Sequence, residues 1–351
     1  MELSRLLSCG SPLRGAALER LKVFLGSCGL KYDEKIEYSV YLTENNEIIA
    51  AGSLDGQVLK CIAVSPKYQS EGLAARIISE LLGEAARRGH FHVFLFTALE
   101  NEALFGGLGF YRVAKTGQIL LMENKKHGVE QFVASFKLPK NTENYGAKTG
   151  AIVLNCNPFT CGHLYLIETA SKKCDILYLF AVSEDKSRFP AETRLKLIRL
   201  GTAHLPNVYL CPTGPYLVSS ATFPDYFLKD DAGAIPQITL NTELDLTVFA
   251  ECFARPLGIK QRYVGTEPFD GVTAVYNKQM KEYLPSFGID VIEIPRLEKS
   301  GAVISASRVR RLLDEGNIEA VKELVPPATY EYLTANPAEY LFLRRICPPP
   351  K

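Results

Sequence analysis

The spacing of apolar residues changes along this chain, and each change predicts a different kind of element. Between 38 and 64, the runs YSVYLT, EIIAAGSL and QVLKCIAV are joined by ENN and DG, which predicts consecutive short strands linked by turns. Leu73, Ala74, Ile77, Ile78, Leu81, Leu82 and Ala85 then form one stripe at a spacing of about 3.6 residues, which predicts an amphipathic helix. The run HVFLFT predicts a strand, a short helix starts near Asn101, and ILLMEN and VEQFVASF predict a closing strand pair.

After residue 150 the rhythm is different. A strand at 151–155 leads to a helix at 163–173, then the strand DILYLFAV, the helix PAETRLKLIRLGTAH and the strand VYLCP. Strictly alternating strands and helices predict a parallel, doubly wound sheet. Two helices, SASRVRRLLDEG and IEAVKELV, follow near the C-terminal end. Between the two patterns lies LPKNTENYGAKTG (138–150), polar and without period. The reading is an α/β protein with a mixed α/β domain over 1–140 and a parallel-sheet domain over 148–351.

Composition narrows this picture. With 351 residues, each half is long enough to bury a core. Lys plus Arg (40) nearly cancels Asp plus Glu (39), so no broad surface for nucleic acid or anionic membrane is expected. No apolar run approaches the roughly 18 residues of a membrane span, and the first residues lack the apolar core of a signal peptide. Nine scattered cysteines with no C-x-x-C pair predict reduced thiols in a cytoplasmic protein.

The segment VSPKYQSEGLAARII joins a strand to the amphipathic helix. Gly72 would let a ligand approach the backbone, and the first amides of a helix favour an anion. Gln69, Gly72 and Ala74 resemble the Q/R-x-x-G-x-A loop of the GNAT acetyltransferase superfamily, and ALFGGLGFYRV resembles its second signature. The resemblance covers about 30–135. It implies a coenzyme A or pantetheine site along Val64, Gln69, Gly72, Leu73 and Ala74. Many active members place a Tyr, as general acid, where this chain has Phe105, which has no proton to give. The expectation is a domain that binds a pantetheine-type group without transferring an acetyl group from acetyl-CoA.

In VLNCNPFTCGHLYLIETA, Cys156, Cys161 and His163 could be read as metal ligands, but they supply only three from one tight loop. A satisfied structural His is a second reading, and a phosphate site at a helix start after the first parallel strand is a third. Thr160-x-Gly162-His163 resembles the T/H-x-G-H motif of the nucleotidyltransferase superfamily, whose second signature also begins a helix. ISASRVRRLL supplies it: Ser305 and Ser307 offer hydroxyls, and Arg310 offers planar, permanently charged donors. Because Thr160 cannot carry charge, His163 is expected to hold most of the positive charge.

Together with SEDKSRFPAETRLKLI, GPYLVSSATFPDYFLK, QRYVGTEPFDGVTAVYN and IPRLEKSGAVISASRVR, these stretches resemble the citrate lyase ligase family over almost the whole chain. That resemblance implies an enzyme using ATP with Mg2+ on its phosphates, with acetate and the citrate lyase acyl carrier subunit as partners. It would form acetyl-adenylate and pyrophosphate, then acetylate the prosthetic-group thiol and release AMP. It implies His163 and Arg310 as catalytic residues. The implied ATP contacts are Asn157, Pro158, Phe159, Thr160, Gly162, His163, Arg194, Gly265, Thr266, Glu267, Ile304, Ser305, Ser307 and Arg310, with no resident metal site. Ser219, Ser220 and Thr222 are candidates for acetate or for ordering a loop, and Asp245 and Asp270 lean towards structural roles. Two alternatives stand beside this. One is another adenylyltransferase, such as a phosphopantetheine adenylyltransferase, which would leave the first domain unexplained. The other is a non-catalytic sensor of ATP or CoA, which Thr160 and Phe105 would motivate.

Overall fold

The computed structural model describes residues 5–136, 146–219, 235–267, 271–299 and 301–337. Two compact units divide after Gly128: Met1–Gly128 and Val129–Lys351. The polar stretch expected as the boundary lies ten residues or more beyond that point, and 137–145 of it fall outside the described residues.

The first unit is a seven-stranded sheet. Its elements are β1 (Leu6–Gly10), α1 (Gly15–Ser27), β2 (Tyr38–Glu44), β3 (Glu47–Asp55), β4 (Val58–Val64), α2 (Leu73–Arg87), β5 (Phe94–Ala98), α3 (Glu102–Gly107), β6 (Tyr111–Lys115) and β7 (Ile119–Glu123). The strand order is β1-β2-β3-β4-β5-β7-β6. Period-two alternation sorts the side chains. Val40 and Leu42 join Ile77 and Leu81 of α2 on one face. Tyr41 and Ala51 meet Leu21 and Leu25 of α1 on the other. Gly52 lets α2 settle on the sheet, because a Cβ there would lie 2.5 Å from Ile77 and 2.8 Å from Leu81. All pairs are antiparallel except β4 with β5, whose pairing is confined to Val58↔Phe94 and Leu59↔Leu95. Past that point β4 runs on to the loop before α2 without β5 beside it.

In the second unit, α4 (Gly128–Ala134) comes first. Its stretch VEQFVASF was expected as a strand. Val129, Phe132, Val133 and Phe136 instead fall at helical spacing, and Phe132 and Phe136 pack against Tyr216, Phe253 and Phe180. Then follow β8 (Thr149–Leu154), α5 (Cys161–Ser171), β9 (Ile176–Ala181), α6 (Ala191–Thr202) and β10 (Val208–Pro212). Next come α7 (Ile235–Val248), a π-helical turn at Phe249–Ala254, α8 (Arg255–Leu257), β11 (Gln261–Gly265), α9 (Gly271–Tyr283) and β12 (Asp290–Ile294). A small hairpin, β13 (Glu298–Lys299) with β14 (Ala302–Val303), leads into α10 (Ala306–Asp314), α11 (Ile318–Val321) and α12 (Pro327–Ala335).

The five main strands are all parallel, in the order β10-β9-β8-β11-β12. Helices cover one face through Ile167, Ala170, Leu197 and Ile198. An aromatic group, Phe180, Phe249 and Phe253, fills part of the other. Chain order runs outward in opposite directions from β8 and β11. The crevice at their carboxyl ends is therefore the switch point where such sheets bind ligands. The loop after β8 carries Thr160, Gly162 and His163, and the loop after β11 carries Thr266 and Glu267.

Candidate functional site

The loop after β8 is built to aim His163. Thr160 is the extended N-cap of α5, and its Oγ1 accepts from the His163 N–H at 3.3 Å. His163 sits where such a box usually has Glu, and its Nδ1 accepts from the Thr160 N–H at 3.1 Å. With Nδ1 an acceptor, the neutral ring carries its proton on Nε2. The buried Phe159 ring lies nearly parallel to the imidazole, 6.0 Å between centroids. Gly201 makes room for Phe159, since a Cβ there would overlap that ring. Thr160 is therefore the orienting group for His163.

The expected charge assignment is corrected by this geometry. His163 is half-buried, and burial, then the charges of Arg296 and Arg310, pull its pKa down to about 4. At neutral pH His163 is an uncharged N–H donor, and the positive charge around it is carried by the two arginines.

The second motif docks directly on the first. Ser305 caps α10, its Oγ accepting from the Arg308 N–H at 3.2 Å. Arg310 donates through Nη1 to the Asn157 carbonyl at 2.5 Å and through Nη2 to Ser307 Oγ at 2.9 Å. Burial, then the nearby Arg188, lower the Arg310 pKa. Arg188 bonds Asp314 at 2.9 Å and the Arg310 carbonyl at 3.3 Å. Gly162 is needed for this docking: a Cβ there would lie 2.8 Å from the carbonyl oxygen of the buried Ile304. The first turn of α5 is then largely satisfied. The Cys161 N–H donates to the Leu324 carbonyl at 2.9 Å and the His163 N–H to Thr160, so only the Gly162 N–H lacks a partner among the described residues.

Other sequence candidates separate by role. Arg194 was expected to face the triphosphate or solvent, and does neither. It is 1% exposed, and its guanidinium donates to the carbonyls of Phe189, Asn155, Val182 and Glu184 and to Asn155 Oδ1. It pins the carboxyl ends of β8 and β9 beneath the site. Asn157 accepts the Phe189 N–H on Oδ1 at 3.0 Å, and Pro158 is buried. The Gly265–Glu267 turn holds Arg296: Thr266 accepts from Arg296 Nε at 2.5 Å, and Glu267 pairs with its guanidinium. Arg296 was not singled out from the sequence. The available signal was an arginine two residues beyond β12, at the carboxyl edge of the sheet.

Ser219 donates to the Pro215 carbonyl, while Ser220, Thr222 and Asp270 lie outside the described residues. Asp245 accepts from the Val218 N–H and the Tyr276 hydroxyl, both at 2.7 Å. Cys156 is buried, and burial raises its thiol pKa and that of Cys161. Among the described residues no group of three or more His, Cys, Asp or Glu is placed to hold a metal, and no helix is long and apolar enough to cross a membrane.

In the first unit, the loop between β4 and α2 ends at Gly72, left-handed at φ +71° and exposed, with nothing within 4 Å of its Cβ position. The N–H groups of Leu73, Ala74 and Ala75 have no partner among the described residues. Val64 ends β4 half-buried, Gln69 is exposed, and Leu73 is buried. Phe105 is a core residue against Phe110, 6.4 Å between ring centroids, and Tyr111 lies exposed on β6.

The chain is similar to known proteins along most of its length. The citrate lyase ligase C-terminal domain family matches residues 149–333, and the acetyltransferase (GNAT) family matches 19–113. A citrate (pro-3S)-lyase ligase from Escherichia coli (strain K12) is 41% identical over 319 residues, covering 88% of each chain. The protein of that name from Klebsiella pneumoniae is 40% identical over 320 residues, 90% of this chain and 92% of its own. Among solved structures, an acyl-CoA N-acyltransferase from Pseudomonas aeruginosa aligns with 35% of this chain and 100% of its own, at 19% identity and a TM-score of 0.30. A bifunctional NMN adenylyltransferase/ADP ribose pyrophosphatase from Francisella tularensis aligns with 56% of this chain and 52% of its own, at 17% identity and a TM-score of 0.37. The two matched domains, and sequence identity near two residues in five along almost the whole length, make this chain a member of the citrate lyase ligase family.

Proposed function

We propose that the enzyme joins acetate to the thiol of the phosphopantetheine-type prosthetic group on the acyl carrier subunit of citrate lyase, using ATP. The observation that carries this reading is the convergence of donors at the carboxyl edge. The Gly162 N–H, the Nε2–H of His163 and the guanidiniums of Arg310 and Arg296 belong to loops that are bonded to one another or act on one another by charge. Such a set suits a phosphate chain and the negative charge that builds on it in the transition state. In the first step an acetate oxygen attacks the α-phosphorus. The bond to the bridging oxygen breaks, and its electron pair leaves with pyrophosphate. In the second step the thiol sulfur attacks the acetyl carbonyl carbon, AMP departs, and the thiol proton goes to solvent. Neither step needs a protein nucleophile. Mg2+ would arrive with the nucleotide, neutralising phosphate charge as part of the substrate.

The open Gly72 loop suits a pantetheine arm, and Phe105 supplies no proton for a departing CoA thiolate. We therefore assign the first unit to binding the arm; rapid acetyl transfer from acetyl-CoA to amines would overturn that assignment. The deciding measurement is acetate-dependent exchange of labelled pyrophosphate into ATP, without citrate lyase. Exchange with acetate supports the reading, exchange requiring phosphopantetheine points to an adenylyltransferase, and none at all points to a sensor.

A further inference from the structure

A cavity of about 620 Å³ opens between the β13–β14 hairpin and the start of α10, and Glu298, Gly301, Ser305, Ser307, Arg308 and Arg311 help to line it. That volume falls in the range of small-ligand sites, roughly 300–1,000 Å³. Its wall carries two guanidiniums against one carboxylate. Neither arginine belongs to the Ser305, Ser307 and Arg310 set read from the sequence.

Both guanidiniums are loosely held. Arg310 and the buried Arg194 are tied to protein oxygens. Arg308 makes no side-chain hydrogen bond or ion pair among the described residues, and its Nη1 is buried without an acceptor. Such a donor is costly to leave open. Arg311 is exposed and reaches Glu315 only at 3.8 Å, a pair that solvent screens.

Helix geometry separates the arginines by task. At 3.6 residues per turn, Arg308 and Arg310 lie roughly 160° apart around α10, while Arg308 and Arg311 share a face. Arg310 turns to the His163 loop through its bond to the Asn157 carbonyl. Arg308 and Arg311 turn to the cavity. Ser307 joins the two sides: its Oγ accepts from Arg310 Nη2, and it also lines the cavity. In the first turn Ser305 caps the Arg308 N–H, whereas the N–H groups of Ala306 and Ser307 have no partner among the described residues. The cavity therefore extends the donor set from Arg310 past Ser307 to Arg308. Surplus positive charge with amides and a hydroxyl beside it suits phosphate oxygens better than a neutral ligand.

We propose that Arg308, assisted by Arg311, binds the terminal phosphates of the nucleotide and the pyrophosphate they become. Placing a nucleotide here rests on the reaction proposed above; the affinity of the cavity for a polyphosphate rests on its own residues.

The test uses the full chain as wild type, Arg308→Met and Arg308→Lys. Binding of inorganic pyrophosphate and of AMP is read by titration calorimetry, and the KM values for pyrophosphate and acetate by exchange. In R308M the pyrophosphate Kd and KM rise about tenfold or more. The AMP Kd and the acetate KM stay within about threefold, because AMP lacks the terminal phosphates and acetate does not reach the cavity. R308K, which keeps the charge without the planar donors, falls between. A pyrophosphate Kd within about threefold of wild type in R308M would overturn the proposal. Equal weakening of pyrophosphate and AMP would overturn it too, since that marks a disturbed fold. Pyrophosphate binding that depends on Arg308, with no acetate-dependent exchange in wild type, would leave the cavity standing and remove the reaction assigned to it.

Discussion

Both units place a glycine where a strand gives way to a helix, and they use it in opposite ways. Gly72 is left-handed, exposed and unopposed, and the amides that follow it are open. Gly162 sits under the Ile304 carbonyl, and two of the three amides at its helix start are already bonded. The first arrangement can receive a long flexible anion in more than one pose. The second offers a few donors in fixed positions, which is what lowering a barrier requires. The difference teaches that a helix N-terminus becomes rigid by giving up most of its free amides to its own framework.

The strongest way to break this comparison is to remove the fixed donor. His163→Ala is expected to slow acetate-dependent exchange by about 10² to 10³, the usual loss for one preorganised donor; activity within a few-fold of wild type would refute its role. Next, Gly162→Ala forces the two motifs apart and is expected to cost about 10² in exchange, as small displacements of reacting groups do. Gly72→Ala should leave exchange within about threefold. Equal losses in the two glycine variants would erase the distinction between the loops.

A further effect is in the pH dependence of stability. The folded pKa of His163 is about 4, below the usual unfolded value near 6.5. Between those values the unfolded chain binds more protons, so stability rises with pH. This contribution is fully present above about 6.5 and is lost as pH falls towards 4, amounting to at most about 3 kcal/mol. Denaturant midpoints of wild type and His163→Gln across that window should converge as the pH drops; a constant difference would mean that His163 is not held neutral by the fold.

Much of the architecture was legible because both sheets announce themselves by period. Three turn-linked strands and a clean stripe give the first unit, and alternating strands and helices give the second. VEQFVASF misled because a short apolar run fits both periods, and its aromatic partners lie far along the chain. The T-x-G-H loop and ISASRVR were legible as a pair, but individual roles were not. Sequence alone does not say that Arg194, in the first turn of α6, is buried against the carboxyl ends of β8 and β9 while Arg296 is held by the turn after β11. Nor does it say that Gly162 faces Ile304, a contact made only when the chain returns to β8 after crossing the whole sheet.

That return has a consequence for the order of synthesis. The start of α5 is closed by the Leu324 carbonyl, and Arg310 ties the loop down from α10. A nascent chain can lay down β8, β9 and β10 as they leave the ribosome, yet the Thr160–His163 loop lacks its bracing until residues beyond 324 have emerged. The part of the loop made early is completed by a part made much later, so a product truncated before Arg310 would hold the sheet without a braced loop after β8.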